Sequence, residues 1–416
     1  MQHTEGTGVW RAWLVVAVCS AVVGCCLGLA RFAFGMLLPG ISAGLGLDHA
    51  AGGLLGTSYF LGYLLTVLAI PVLVRHAGQR WLILSGLLIL AIGMTGMALT
   101  ADYRVLLALY TLTGIGAGGA YVPAMSLASN WFEPSHRGRA AGFMLSGAGL
   151  GIVFSGLVIP SIPAMTLPLV GNLQAWQAGW LSFAGISVVV LVAAILLVRN
   201  HPGELGMNPV GRPVNTAAAA TTKGPERARP DWLNMLHLGL IYACYGITYM
   251  VYTTFIVTTM IEERGVPKAE AGLVWSLVGA CSVFSGALFG GLSDRIGRRG
   301  GLVAACLVQA LSFALVAGDF GAAPLMASII LFGISAWSVP TIMAAAAGDQ
   351  FGPQRAAGAL AIVTLIFAVG QAVGPVGAGA LAEWTGRFGP GFAAAAAIAV
   401  LGAGLSLLLQ GRRRRS

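Results

Sequence analysis

Residues 271–299 read AGLVWSLVGACSVFSGALFGGLSDRIGRR: an uncharged run over 271–292, then Ser293-Asp294-Arg295-Ile296-Gly297-Arg298-Arg299. An apolar run of that length spans the roughly 30 Å hydrocarbon core of a bilayer as a helix, and the arginines after it mark an end held at the aqueous face. Comparable stretches recur at 12–38, 51–74, 81–99, 105–129, 140–160, 176–198, 235–258, 301–317, 324–347, 357–381 and 391–410, which makes twelve candidate spans. The composition agrees, since 57% of the 416 residues are hydrophobic and 9% are charged, whereas about a quarter are charged in a soluble domain. Irregular backbone facing lipid would leave its N–H and C=O groups without partners, so an all-α membrane protein is expected. The first stretch is too long before Arg31 for the roughly 7–15-residue core of a signal peptide and is read as retained.

Placing the amino terminus in the cytoplasm puts most of the 23 Lys and Arg residues inside, among them Arg75, Arg80, Arg137, Arg139, Arg298, Arg299 and Arg412 to Arg415. Only Arg104, Arg264, Lys268 and Arg387 fall outside, and Arg31 lies within a span. That bias predicts a multi-pass protein of the cell inner membrane with both termini cytoplasmic. The net charge of +9 then reads as topology and contact with anionic membrane lipids, not as a nucleic-acid surface.

The longest polar segment, 199–231, carries five prolines and an alanine-threonine run, as a linker would. It divides the spans six and six: an amino-terminal bundle over 1–198 and a carboxy-terminal bundle over 232–416. PVLVRHAGQR at 71–80 and GGLSDRIGRR at 290–299 sit at the same join in each half, 219 residues apart (290 − 71 = 219). Phe132-x-Pro134 and Phe351-x-Pro353 share that spacing, and each is followed by Arg-Ala-Ala-Gly. Twelve helices in two pseudo-symmetric bundles follow, a transporter architecture with its substrate site between the halves.

Gly290-x-Leu292-x-Asp294-Arg295-x-Gly297-Arg298-Arg299 resembles the cytoplasmic loop signature of the major facilitator superfamily, and it stands between helices 8 and 9. Three further features resemble bacterial monocarboxylate and oxalate/formate-type carriers and neighbouring uncharacterised carriers. They are Leu29-Ala30-Arg31-Phe32-Ala33-Phe34-Gly35 through Pro39, Tyr121-Val122-Pro123, and Arg199-x-x-Pro202-x-Glu204-x-Gly206. The resemblance implies a gating role for Gly290, Asp294, Arg295, Gly297 and Arg298. In the first-half loop Arg75 stands at the position of Asp294 and Gln79 at that of Arg298, so the two cytoplasmic faces are not equivalent. Gly-x-x-x-Gly-Pro occurs in helix 11 (Gly370 to Pro375) instead of helix 5, and antiport is not inferred.

Arg31 is the charged side chain placed well inside a span, about 12 Å before Pro39 at 1.5 Å per residue. Its planar fork suits a carboxylate, and snorkelling to the outer interface is the competing reading. None of the 14 acidic residues lies in a span interior, which argues against lipophilic-cation export and leaves a coupling proton without an obvious carrier. Tyr242, Tyr245, Tyr249 and Tyr252 share one helical face and are expected to line an aqueous cavity or to pack. Tyr121, Tyr249, Trp337 and Gln371 are taken with Arg31 as candidate substrate-binding residues. Gly114-x-Gly116-x-x-Gly119 lies inside a span and reads as helix packing, not as a dinucleotide fingerprint. The six cysteines lack metal or disulfide spacing, and no cofactor, metal or enzymatic activity is expected.

These readings converge on a monomeric secondary transporter of a small organic anion, a monocarboxylate being the candidate, with a proton as candidate coupling ion. A ligand sensor or scaffold on the same fold, and an exporter of a neutral amphipathic compound, remain open alternatives at this point.

Overall fold

The computed structural model describes residues 2–167, 171–210, 232–351 and 356–409. Linker residues 211–231, Pro353, Arg355 and the Arg412 to Arg415 tail lie outside them. In chain order, α1 (Gln2–Val23) passes through a π-helical segment (Gly24–Phe32) into α2 (Ala33–Leu45). Then follow α3 (His49–Leu99), α4 (Tyr103–Ser126), α5 (Ala128–Trp131), α6 (Pro134–Val158) and α7 (Ala175–Leu197). After the linker come α8 (Trp232–Thr258), ending in a short π turn (Thr259–Glu263), α9 (Lys268–Ala317) and α10 (Ala322–Ser335). The last three are α11 (Ser338–Phe351), α12 (Ala356–Thr385) and α13 (Gly389–Leu407). One antiparallel hairpin, Met165–Leu167 with Gly171–Leu173, departs from the expected all-α content.

Ten helical stretches among the described residues are long and apolar enough to cross a bilayer. Two of them, α3 and α9, have 51 and 50 residues, about 75 Å at 1.5 Å per residue and more than twice the hydrocarbon core. Each contains one residue out of helical geometry, Gly78 (φ 76°, ψ 162°) and Gly297 (φ 83°, ψ 158°). Only glycine occupies that region readily. The polar joins expected at 75–80 and 294–299 are therefore single-residue kinks, not loops, and their glycines are 219 residues apart (297 − 78 = 219). The same spacing relates Gly46 (φ 63°), which caps α2, to Gly265 (φ 62°), which follows the π turn after α8.

Helix starts follow local chemistry. The Asp48 carboxylate accepts from Ala51 N at α3, and Asp102 accepts from Arg104 N and Val105 N at α4, each satisfying an end N–H that has no intrahelical partner. Pro39 does not end the first span as expected. It sits inside α2, which continues to Leu45, and so Arg31 is 14 residues from the helix end, about 21 Å instead of 12 Å.

Helix α3 packs against α4, α7 and α12, while α9 packs against α6, α10, α11 and α13. The Gly114-x-Gly116 run lies against α3: a Cβ at Gly114 would meet Tyr59 O, and one at Gly116 would meet Leu90 N. Contacts between α3 and α12 lie along the part of α3 that begins at His49. His49 N donates to Glu383 Oε2 at 3.1 Å, Thr57 Oγ1 donates to Ala372 O at 2.8 Å, and a Cβ at Gly53 would collide with Pro375 O.

Candidate functional site

Arg31 lies in the last turn of the π segment Gly24–Phe32. A π turn holds an extra residue and displaces carbonyls from the usual ladder, and such turns concentrate at functional sites. Two phenols take up carbonyls there: Tyr59 of α3 donates to Cys26 O at 2.8 Å, and Tyr110 of α4 donates to Ala30 O at 2.9 Å. The residues 219 positions later, 243–251, are regular α-helix within α8. The distortion therefore belongs to the Arg31 side alone.

The guanidinium carries five N–H donors. Its Nη2 lies 3.3 Å from Met250 Sδ on α8, and its Cζ lies 4.6 Å from the Phe60 ring centre and 5.1 Å from that of Phe32. Arg31 Nε is buried without a hydrogen-bond partner, and among the described residues no carboxylate forms an ion pair with Arg31. A thioether is a weak acceptor and an aromatic face offers roughly 0.5–2 kcal/mol, so the charge is held without a strong partner. The snorkelling alternative loses ground, because the helix end lies about 21 Å away.

Aromatic side chains from both parts of the chain surround this cation. Phe32 meets Tyr249 at 6.0 Å and Trp337 at 5.7 Å, and Tyr249 meets Trp337 at 5.9 Å. Tyr121 pairs with Tyr63 at 6.5 Å, and Tyr63 stacks at 6.4 Å on Tyr59, whose hydroxyl binds the π segment at Cys26 O. Trp337 sits in the break between α10 and α11, where Ser285 Oγ accepts from its backbone N–H at 2.8 Å. Gln371 of α12 is buried, with its Nε2 unpartnered. Arg31, Tyr121, Tyr249 and Trp337 thus belong to one neighbourhood, and Gln371 approaches it through α8, where a Cβ at Gly246 would stand 3.2 Å from its backbone nitrogen.

The tyrosine stripe does not line an open cavity as a whole. Tyr252 is fully buried, stacked 4.0 Å from Phe332 with its hydroxyl 2.9 Å from Ser328 Oγ, and Tyr245 donates to Ala336 O. A separate apolar crevice of about 500 Å³ opens between α3, α4 and α12, with Phe60 as a wall and Arg104 among its lining residues. Sequence reasoning missed Phe60 and Met250, because nothing in their letters separates them from lipid-facing or core side chains. It also missed the roles of Tyr59 and Tyr110, whose acceptors are backbone atoms.

At the kink of α9, Arg298 Nη1 bonds Asp294 Oδ1 and Ser293 Oγ, and its Nε bonds Asp349 Oδ2 of α11 at 2.8 Å. Arg295 is exposed and stands apart from this cluster, Gly290 packs against Thr341, and Gly297 forms the kink itself. At the kink of α3 the corresponding cluster is neutral. Asn130 donates to Gln79 Oε1 at 2.7 Å and to Asn200 O at 2.9 Å, and Gln79 Nε2 donates to Ser126 Oγ.

A family model described as the uncharacterised MFS-type transporter YbfB matches residues 21–407. The chain belongs to this MFS-type transporter family. It is a multi-pass membrane protein whose family takes small-molecule substrates and is not a class of enzymes. The 3-(3-hydroxy-phenyl)propionate transporter of Escherichia coli K12 is 24% identical over 429 residues, covering 99% of this chain and 98% of that protein. A protein of Agrobacterium vitis provisionally named a tartrate transporter is 25% identical over 389 residues, covering 88% of this chain and 86% of its own. The oxalate:formate antiporter of Oxalobacter formigenes is 35% identical over 125 residues, 30% of this chain and 27% of that one. In fold, the MFS-type chain is similar to a bacterial homologue of the human lysosomal transporter Spinster in an inward-facing, unoccupied conformation. Their TM-score is 0.75 at 16% identity, covering 96% of each chain.

Proposed function

We propose that this MFS-type chain is a secondary transporter that moves a small organic anion by alternating access, with Arg31 as the anion contact. The observation that carries the reading is the Arg31 guanidinium, deep within a helix and facing a thioether and two aromatic rings, with no carboxylate partner among the described residues. An oxyanion supplies the strong acceptor that those neighbours lack. Relatives named for tartrate, oxalate and formate, and a phenylpropionate support an organic-acid substrate.

The architecture proposed for it has twelve spans, with α3 and α9 each counted as two at Gly78 and Gly297. Two bundles, 1–198 and 232–416, are joined by 199–231, with both termini in the cytoplasm of an inner-membrane protein. The α3–α12 contacts from His49 to Thr57 then close the outer end, which suits an inward-open state. Rocking of the bundles would open those contacts and engage the clusters at the two kinks.

The test is uptake in proteoliposomes for a panel of carboxylates. Arg31→Ala should abolish uptake and Arg31→Lys, a point charge without the fork, should leave a small fraction. Transport at the parental rate in both variants overturns the assignment. Flux driven by an imposed pH gradient reports whether the proton is the coupling ion.

A further inference from the structure

The crevice of about 500 Å³ between α3, α4 and α12 is lined along α3 from Leu54 to Leu64. Ten residues (64 − 54 = 10) make it about 15 Å long at 1.5 Å per residue. That is half of the roughly 30 Å hydrocarbon core, the depth of one leaflet. Leu54, Leu61 and Ala108 in its lining are exposed, so the open side is apolar and meets acyl chains in a membrane.

The hydroxyls within the crevice are already engaged. Thr57 Oγ1 donates to Ala372 O at 2.8 Å, Ser58 Oγ to Leu55 O at 2.7 Å, and Thr111 Oγ1 to Leu107 O at 2.8 Å. With each hydroxyl proton spent on a carbonyl, this part of the wall favours an apolar occupant. Arg104 is the exception, and it stands at one end. Tyr103 Oη donates to Ala51 O at 3.0 Å, which holds the start of α4 level with the first turn of α3. The Arg104 guanidinium is exposed and, among the described residues, makes no hydrogen bond or ion pair. The nearby Asp102 carboxylate accepts from Arg104 N and Val105 N instead. An occupant with an apolar body one leaflet long and a negative end matches both features, because a basic residue at the membrane surface attracts anionic lipid.

We infer that the crevice is a binding site for one anionic phospholipid, with an acyl chain along α3 and its phosphate on Arg104. Under the topology proposed above the site belongs to the outer leaflet. It does not depend on Arg31 as the anion contact.

The experiment titrates delipidated full-length protein in neutral detergent with phosphatidylglycerol or with phosphatidylcholine of the same acyl chains. It reads the thermal shift and, by native mass spectrometry, the number of lipids retained per chain. The parent should retain one phosphatidylglycerol and bind it about fivefold more tightly than phosphatidylcholine, the scale of one basic residue beside an anionic headgroup. Arg104→Gln should lower phosphatidylglycerol to the level of phosphatidylcholine, and Arg104→Lys should keep the preference. Ala108→Trp, introduced at an exposed position, should fill the crevice and weaken both lipids several-fold. Glycerophosphoglycerol, the same headgroup without its chains, should give no shift. Equal binding of the two lipids by the parent, or a preference that survives Arg104→Gln, overturns the inference. So does retention unchanged in Ala108→Trp, which would place the lipid elsewhere, or a full shift with the chainless headgroup, which would make the occupant a soluble anion.

Discussion

Asn130 donates to Gln79 at 2.7 Å at the positions where, 219 residues later, Asp349 accepts from Arg298 at 2.8 Å. One kink is clasped by two neutral amides and the other by Arg298 between two carboxylates, Asp294 and Asp349. An exposed ion pair contributes about 0–1 kcal/mol and is screened by salt, while an amide pair has no such dependence. Asp349 is half exposed, so the charged clasp belongs at the low end of that range. Melting of the detergent-solubilised parent should fall slightly between 0.01 M and 1 M salt, taken as roughly 30 Å and 3 Å Debye lengths. Asp294→Asn combined with Asp349→Asn should remove that dependence and Asn130→Ala should leave it, and equal salt profiles in the two cases would contradict the asymmetry.

The phenols at the π segment should act through Arg31. Tyr110→Phe keeps the 5.0 Å stack on Phe34 but removes the donor to Ala30 O. A lost net hydrogen bond costs roughly 0.5–1.5 kcal/mol, about a 2–12-fold rise in KM if it loosens the guanidinium. Tyr59→Phe should behave alike through Cys26 O. A fall in melting temperature with KM unchanged in both variants would reduce these phenols to packing.

Alanine at either kink glycine is forced into backbone that costs about 1–3 kcal/mol. With nearly the same φ and ψ at Gly78 and Gly297, Gly78→Ala and Gly297→Ala should lower melting temperature by similar amounts. A large cost at one and none at the other would speak against equivalent kinks.

At the end of α3 proposed to face outward, Gly53→Leu drives its side chain into Pro375 O, which a Cβ at Gly53 already overlaps. The variant should hold α3 away from α12 and raise labelling of a reporter Thr57→Cys by an impermeant thiol reagent, with uptake reduced several-fold. Labelling unchanged from that of Thr57→Cys alone would show that this contact does not govern closure.

Much of this was readable from letters. Charge scarcity, the 219-residue repeat and the isolation of Arg31 in an apolar run follow from side-chain chemistry. Pro39 misled, because a proline within a membrane helix can be accommodated by its neighbours, and the helix continues to Leu45. The π turn was not readable, since it arises from the carbonyls that Tyr59 and Tyr110 capture across helices. Nor was the neutral clasp, because Gln79 and Asn130 are ordinary polar letters until α3 and α5 bring them together. The tyrosine stripe showed its face but not what that face meets, and Tyr252 turned out to be packed on Phe332.

Arg31 and Met250 are themselves 219 residues apart, and they touch. Under the proposed duplication, a position and its own counterpart can meet only beside the axis that relates the halves, since any point away from a dyad is separated from its image by twice its distance from it. A ligand held there lies where rocking displaces atoms least. Because the two counterparts are a cation on a π turn and a thioether on a regular helix, the axis offers one orientation and not two equal ones. The stoichiometry to expect is one anion per chain, held the same way round at every turnover.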